Sequence, residues 1–120
     1  MEAFTVCGKT LSPEALTETF SKIFNVAVSD RSIVALGDTW AVVLEGGGFE
    51  VSVRCSSEAG GCEVLVRGGD APLAYCSREC KPDPAAPPGV DTARIVERAR
   101  RLVEEAGIPL IGSCWGASAE

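Results

Sequence analysis

The segment from residue 49 to residue 67 constrains the fold more than any other part of the sequence. Apolar and polar residues alternate on both sides of a loop rich in Ser and Gly, a pattern typical of two antiparallel strands. Setting Cys55 opposite Cys62 brings five further pairs into register: Arg54 with Glu63, Val53 with Val64, Ser52 with Leu65, Val51 with Val66 and Glu50 with Arg67. A slip of one residue would turn the valines outward, so we predict a hairpin in this register.

The same register predicts a disulfide between Cys55 and Cys62, because directly opposed residues lie at about the 5.5 Å Cα separation that a disulfide prefers. The alternative is a zinc site, since the four thiolates of Cys55, Cys62, Cys76 and Cys80 would suit tetrahedral zinc or an iron–sulfur cluster. Gaps of this length are unusual for a structural zinc site, which usually has two short knuckles. We therefore favour disulfides over a metal site and over free buried thiols, and we expect no cofactor.

The other cysteines form two further pairs in the sequence. Cys76 and Cys80 either bridge each other across a turn or bridge elsewhere, and their spacing differs from the CxxC of thioredoxin-like sites. A thiol–disulfide oxidoreductase that uses this pair is a further alternative. Cys7 and Cys114 lie near the two ends of the chain, and strands paired edge to edge there would allow a third disulfide.

Two amphipathic helices are marked by their termini. Ser12 and Pro13 are typical of a helix start, and apolar residues recur at helical spacing as far as Phe24, so we predict a helix over 13–24. Asp91 begins the second helix, which carries an apolar stripe and ends at Gly107, a residue type favoured at helix C-termini.

Between the helices, apolar residues recur at every second position, which is typical of β-strands. Strands are predicted there at 26–28, 32–36, 39–46, 49–55 and 62–67, with further strands before the first helix at 3–7 and after the second at 108–112. The predicted fold class is α+β: an antiparallel meander sheet of four or five strands with an N-terminal and a C-terminal helix packed on it, in the order β-α-β-β-β-β-α(-β). We expect residues 1–120 to form a single domain in which 68–90 is a long, ordered loop rich in Pro and Gly.

Composition excludes several functions. The chain has no His, which rules out a Ser-His-Asp triad, a Cys-His nucleophile and a HExxH zinc site. A net charge of −6 disfavours nucleic acid as a partner. The sequence contains no apolar run near the ~18 residues of a membrane span and no basic signal-peptide region, so we expect a cytoplasmic protein without a membrane partner.

The residue usage favours a hyperthermophilic source. Gln is absent, Asn25 is the single Asn, and Arg exceeds Lys, whereas thermolabile side chains are commoner in mesophiles. Intracellular proteins of hyperthermophiles are an exception to the rule that cytosolic cysteines stay reduced. A cytoplasmic location is therefore compatible with the predicted disulfides.

One face of the predicted sheet has the composition of an interface. Val43, Ser52 and Leu65 fall in one row with Ala41 nearby, and charged residues surround them: Glu45, Glu50, Arg54, Glu63 and Arg67. An apolar centre with a charged rim is typical of a surface that binds protein, including a second copy of the chain. The alternative is that the 68–90 loop or the second helix covers this patch.

The sequence therefore predicts a small, non-catalytic, disulfide-stabilised domain that acts through protein contacts and forms a homodimer. A four-cysteine zinc module and a thiol–disulfide oxidoreductase are the alternatives. The residues contain no recognisable catalytic set.

Overall fold

The computed structural model describes residues 4–6, 8–24, 30–36, 39–56 and 58–112. These residues form eight strands and two helices: β1 Phe4–Val6, β2 Lys9–Leu11, α1 Pro13–Phe24, β3 Asp30–Leu36, β4 Thr39–Gly46, β5 Phe49–Ser56, β6 Gly61–Gly68, β7 Ala71–Cys76, β8 Cys80–Pro82 and α2 Thr92–Ala106. β1 and β2 form a small hairpin, and β3 to β8 form one antiparallel sheet in chain order. The predicted α+β class and its meander between two helices are confirmed.

The register of the central hairpin is the predicted one. Cys55 lies opposite Cys62, and the charged and valine pairs follow in step along β5 and β6. On the other side of β5, Val42 lies opposite Val53 and Val43 opposite Ser52. The residues of each row therefore point to the same side of the sheet across three strands.

The prediction of a loop over 68–90 was wrong for much of its length, because β7 and β8 lie within it. They extend the sheet to six strands, one more than the upper bound predicted from the sequence. The sequence also gave no signal for β2 as a separate strand. The strand predicted at 26–28 lies outside the described residues, and the one at 108–112 is reduced to a parallel bridge between Cys62 and Leu110.

Both helices form where the sequence signals place them. The carboxylate of Asp91 accepts a hydrogen bond from the backbone N–H of Arg94 at the start of α2, and Gly107 ends that helix in the left-handed conformation. In α1, Leu16, Phe20 and Phe24 point inward, as their helical spacing predicts.

The core lies between one face of the sheet and the helices. α2 packs against β6, β7 and β8, while α1 packs against α2 and β4. The sheet contributes a layer of residues that are almost inaccessible to water: Val42, Leu44, Val51, Val53, Cys55, Cys62, Val64, Val66, Ala74 and Cys76. The rings of Phe20, Phe24 and Phe49 pack in a row at tilted angles, with centroid separations of 5.0 and 5.5 Å. Helices and one sheet face thus bury each other, as a two-layer α+β domain requires.

Candidate interaction surface

The opposite face of the sheet carries the residues predicted as an interface. We call it the outer face and define it by these side chains of β4 to β7: Ala41, Val43, Glu45, Glu50, Ser52, Arg54, Glu63, Leu65, Arg67 and Tyr75. All of them are half-buried or exposed, whereas their neighbours along the strands, such as Val42, Val53 and Val64, are 0% exposed. Within the described ranges, the helices pack on the other side of the sheet.

The outer face is apolar along its middle and charged on both flanks. Val43, Ser52, Leu65 and Tyr75 lie in one row across four neighbouring strands. One flanking row contains Glu45, Glu50 and Arg67, and the other contains Ala41, Arg54 and Glu63. The four predicted interface residues are therefore close together on one surface, and Ala41 is at its edge.

Tyr75 is the part of this surface that sequence reasoning missed. It belongs to β7, which was predicted as loop, so no periodicity placed its ring beside Leu65. Burial raises the pKa of the Tyr75 phenol above its ordinary value of 10.0. The neighbouring Ser77 lowers this pKa, whereas the carboxylate of Glu63 stabilises the protonated phenol and raises it. Tyr75 thus lies beside the charged flank, where the Glu63 carboxylate acts on its phenol.

A shallow depression of about 270 Å³ lies at the centre of the outer face. It is lined by Ser52, Arg54, Glu63, Leu65, Arg67 and Tyr75. Within it, the small side chain of Ser52 lies directly opposite the larger Leu65. A protruding side chain of a partner could enter it.

The charged groups of the outer face are not consumed by ion pairs in the part of the chain that the structure describes. The ion pairs found there join helical residues: Lys22 with Glu105, Glu97 with Arg100, and Arg101 with Glu105. The pairs Glu97–Arg100 and Arg101–Glu105 lie within α2 at spacings of three and four residues, as is typical of the exposed side of a helix. Within the described residues, none of these ion pairs includes a charged side chain of the outer face.

The cysteines are paired on the inner side of the sheet. The predicted disulfide between Cys55 and Cys62 is present, with Cα atoms 4.0 Å apart, and a second disulfide joins Cys76 to Cys80 across the turn between β7 and β8. Cys55, Cys62 and Cys76 are fully buried, and Cys80 is partly buried. The bridge considered between Cys7 and Cys114 lies outside the described residues.

The two disulfides bear directly on the zinc alternative. Zinc binds thiolates. Here the sulfur of Cys55 is bonded to that of Cys62, and the sulfur of Cys76 to that of Cys80. Among the residues that the structure describes, no group of three or more Cys, Asp or Glu side chains is arranged to hold a metal ion. These four cysteines therefore act as two structural crosslinks in this state of the protein.

The fold and the surface define a class: an α+β protein in which, among the described residues, the helices cover one face of an antiparallel sheet and the side chains of the other face are half-buried or exposed. Comparison with protein-family models, with curated proteins and with solved structures found no match to this chain. Within the described residues, no helix is both long enough and apolar enough to cross a membrane.

Proposed function

We propose that the protein is a small, disulfide-stabilised module that carries out no catalysis itself and acts by binding protein, in the first place a second copy of itself, through the outer face. The observation that carries this proposal is the row formed by Val43, Leu65 and Tyr75. Val43 and Leu65 lie on either side of the small Ser52, and Tyr75 lies next to Leu65, on a sheet face that the described helices leave uncovered. Apolar rows flanked by charge are typical of interface centres and their rims.

The disulfides support this role by fixing the surface. Cys55 and Cys62 lie directly beside Arg54 and Glu63, so their bond locks the register of the two strands that carry most of the outer face. A rigid sheet loses little conformational entropy when a partner binds. The proposal also includes a cytoplasmic location in a hyperthermophile, where a low content of Asn and Gln and intracellular disulfides are both common.

The test is the mass of the native protein in solution, measured by light scattering or sedimentation as the protein concentration increases. We expect a dimer for the natural sequence and a monomer for Leu65→Asp, which would bury a carboxylate at the centre of the interface. Val90→Asp is the matched control, because Val90 is an exposed apolar residue that belongs to no strand and precedes α2. A natural sequence that stays monomeric up to millimolar concentration would overturn the self-association.

A further inference from the structure

The charges at the centre of the outer face follow a checkerboard. Along β5 the sign changes from Glu50 to Arg54, and along β6 it changes from Arg67 to Glu63. Across the strands the sign changes again, since Glu50 lies opposite Arg67 and Arg54 opposite Glu63. Two carboxylates and two guanidinium groups therefore occupy the corners of a rectangle, with Ser52 and Leu65 between them.

The four corner charges sum to zero, while the chain has a net charge of −6. Two copies of an acidic protein repel each other, and this repulsion is weakest where the facing surfaces are locally neutral. A strongly acidic or basic partner would meet two like charges at this surface whichever way it approached. The pattern therefore fits a partner that carries the same alternation, and a second copy of the chain carries it by definition.

A two-fold axis parallel to the strands makes the checkerboard self-complementary. When this axis passes between β5 and β6, β5 of one copy lies over β6 of the other while the rows stay aligned. Glu50 then faces Arg67 of the second copy, and Arg54 faces Glu63 of the second copy. Since the relation is mutual, each contact occurs twice, which gives four ion pairs around one apolar centre.

The same axis also matches size with size. It lies in the middle of the six-stranded sheet, so it covers the strands in the pairs β3 with β8, β4 with β7, and β5 with β6. Leu65 is brought over the small Ser52 of the second copy, in the depression described above. Val43 is brought over the ring of Tyr75. At the centre, the large Leu65 thus meets the small Ser52, which allows the two layers to interdigitate.

A two-fold axis perpendicular to the strands also pairs opposite charges, but it fails elsewhere. Such an axis would run along the central row, so each residue of that row would face the same residue of the second copy. Leu65 would face Leu65, Tyr75 would face Tyr75, and Lys81 of β8 would face Lys81. Large side chains would collide while Ser52 faced Ser52 across a gap, and two ammonium groups would lie together. The axis parallel to the strands avoids all three problems.

The size of the face is adequate for this mode of association. Six strands spaced at about 4.8 Å give a width of about 25 Å, and the longest strands, at eight residues, are about 26 Å long. A face of these dimensions is comparable with the ~800 Å² that each partner buries in a stable interface.

We propose that two copies of the chain pack outer face to outer face across a two-fold axis that runs parallel to the strands between β5 and β6, with Glu50 paired to Arg67 and Arg54 paired to Glu63 of the other copy. This inference rests on the proposed self-association and adds its geometry. The packing is that of an aligned β-sandwich, with the helices of each copy on the outside.

Charge reversals test the geometry, with the dimer dissociation constant as the readout. Glu50→Arg sets like charges face to face at two symmetric positions, and we expect it to weaken the dimer at least about tenfold. The double variant Glu50→Arg with Arg67→Glu restores opposite charges across the proposed axis, so its dissociation constant should return close to that of the natural sequence. Thermal unfolding of each variant verifies that the monomer still folds.

The matched variant is Glu50→Arg with Arg54→Glu, which has the same net charge as the other double variant. Across the proposed axis it leaves like charges facing each other, so we expect it to stay weak. Rescue by this variant in place of Glu50→Arg with Arg67→Glu would establish the perpendicular axis and overturn the inference, while the proposed self-association would stand. A dimer whose dissociation constant is unchanged by every charge reversal, but which is broken by Leu65→Asp, would overturn the proposed ion pairs between the copies, while the proposed self-association would stand. A monomeric natural sequence would overturn both proposals.

Discussion

Gly61 and Leu110 pack backbone against backbone: a Cβ atom on Gly61 would lie 2.6 Å from both the carbonyl carbon and the carbonyl oxygen of Leu110. Beside this contact, the N–H of Cys62 donates to the carbonyl oxygen of Pro109, and the N–H of Ile111 donates to the carbonyl oxygen of Cys62. The segment after α2 therefore continues the sheet on the edge of β6 that β7 leaves free. The absence of a side chain at residue 61 is what allows it.

Gly61→Ala is expected to destabilise the protein by about 3 kcal/mol, since the methyl group would displace the 109–111 segment in addition to meeting a positive φ angle. The matched control is Gly69→Ala. Gly69 also has a positive φ, of +66°, but a Cβ atom there would meet nothing within 4 Å. We expect this control to lose only about 1 kcal/mol. The free energy of unfolding in denaturant measures both, and equal losses would contradict the close approach.

The two disulfides should differ in their accessibility to a reductant. Thiol–disulfide exchange requires a thiolate to reach one of the sulfurs. Cys55 and Cys62 are both 0% exposed, whereas Cys80 is partly accessible. In the native protein, dithiothreitol should therefore reduce the Cys76–Cys80 bond first, and the Cys55–Cys62 bond only on unfolding. Alkylation at successive times followed by peptide mass analysis measures this order, and earlier labelling of Cys55 or Cys62 would contradict it.

Removal of either disulfide should also lower stability. The bonds close short loops, with sequence separations of 7 and 4 residues, so the chain-entropy model gives about 2 to 3 kcal/mol for each. We expect the double variant Cys55→Ala with Cys62→Ala to be the more costly of the two pairs, because both of its sulfurs are packed in the core. Thermal unfolding of the two double variants, in parallel with the natural sequence, tests this ranking.

The central hairpin could be predicted from the sequence because several independent pairs require one register. Arg54 with Glu63 and Val53 with Val64 satisfy charge and burial at the same time, and the cysteines then meet without further assumption. The interface row of Val43, Ser52 and Leu65 follows from the same register. Local pairing of this kind needs no knowledge of the rest of the fold.

β7 and β8 could not be predicted because their signals conflict. The register shifts between Val66 and Arg67 of β6, so that both Leu73 and Ala74 are buried in succession and the period of two is lost. Pro72 and Pro82 also argue against strands, although a proline is tolerated near a strand end. Because β7 was not predicted as a strand, Tyr75 could not be assigned to a face of the sheet, and its place beside Leu65 on the outer face was missed.

The N-cap of α2 should contribute measurably to stability. The carboxylate of Asp91 accepts the backbone N–H of Arg94 at 3.2 Å, which satisfies one of the free donors of the first turn. Asp91→Ala should therefore cost about 1 kcal/mol, while Asp91→Asn, which keeps an acceptor oxygen, should cost little. Glu79→Ala controls for the loss of a negative charge at an exposed position. Equal losses in Asp91→Ala and Asp91→Asn would contradict the hydrogen-bonding role of the cap.

Tyr75 should titrate above the ordinary pKa of a phenol, because burial and the Glu63 carboxylate both favour the protonated ring. It is the single Tyr of the chain, so the near-ultraviolet absorbance of the phenolate reports this group directly. A pKa raised by folding means that the unfolded chain loses its proton first. The stabilisation from Tyr75 is therefore fully present below about pH 10, the pKa of the unfolded group, and is lost as the pH rises through the folded pKa.

Glu63→Gln separates the two causes of this shift. It removes the negative charge of residue 63 while leaving the ring in place, so the pKa of Tyr75 should fall towards its ordinary value without returning to it, because burial remains. An absorbance titration of both proteins, with stability measured at two pH values on either side of the transition, tests the argument. A Tyr75 pKa that is unchanged by Glu63→Gln would mean that the phenol and the carboxylate are not in contact on the outer face.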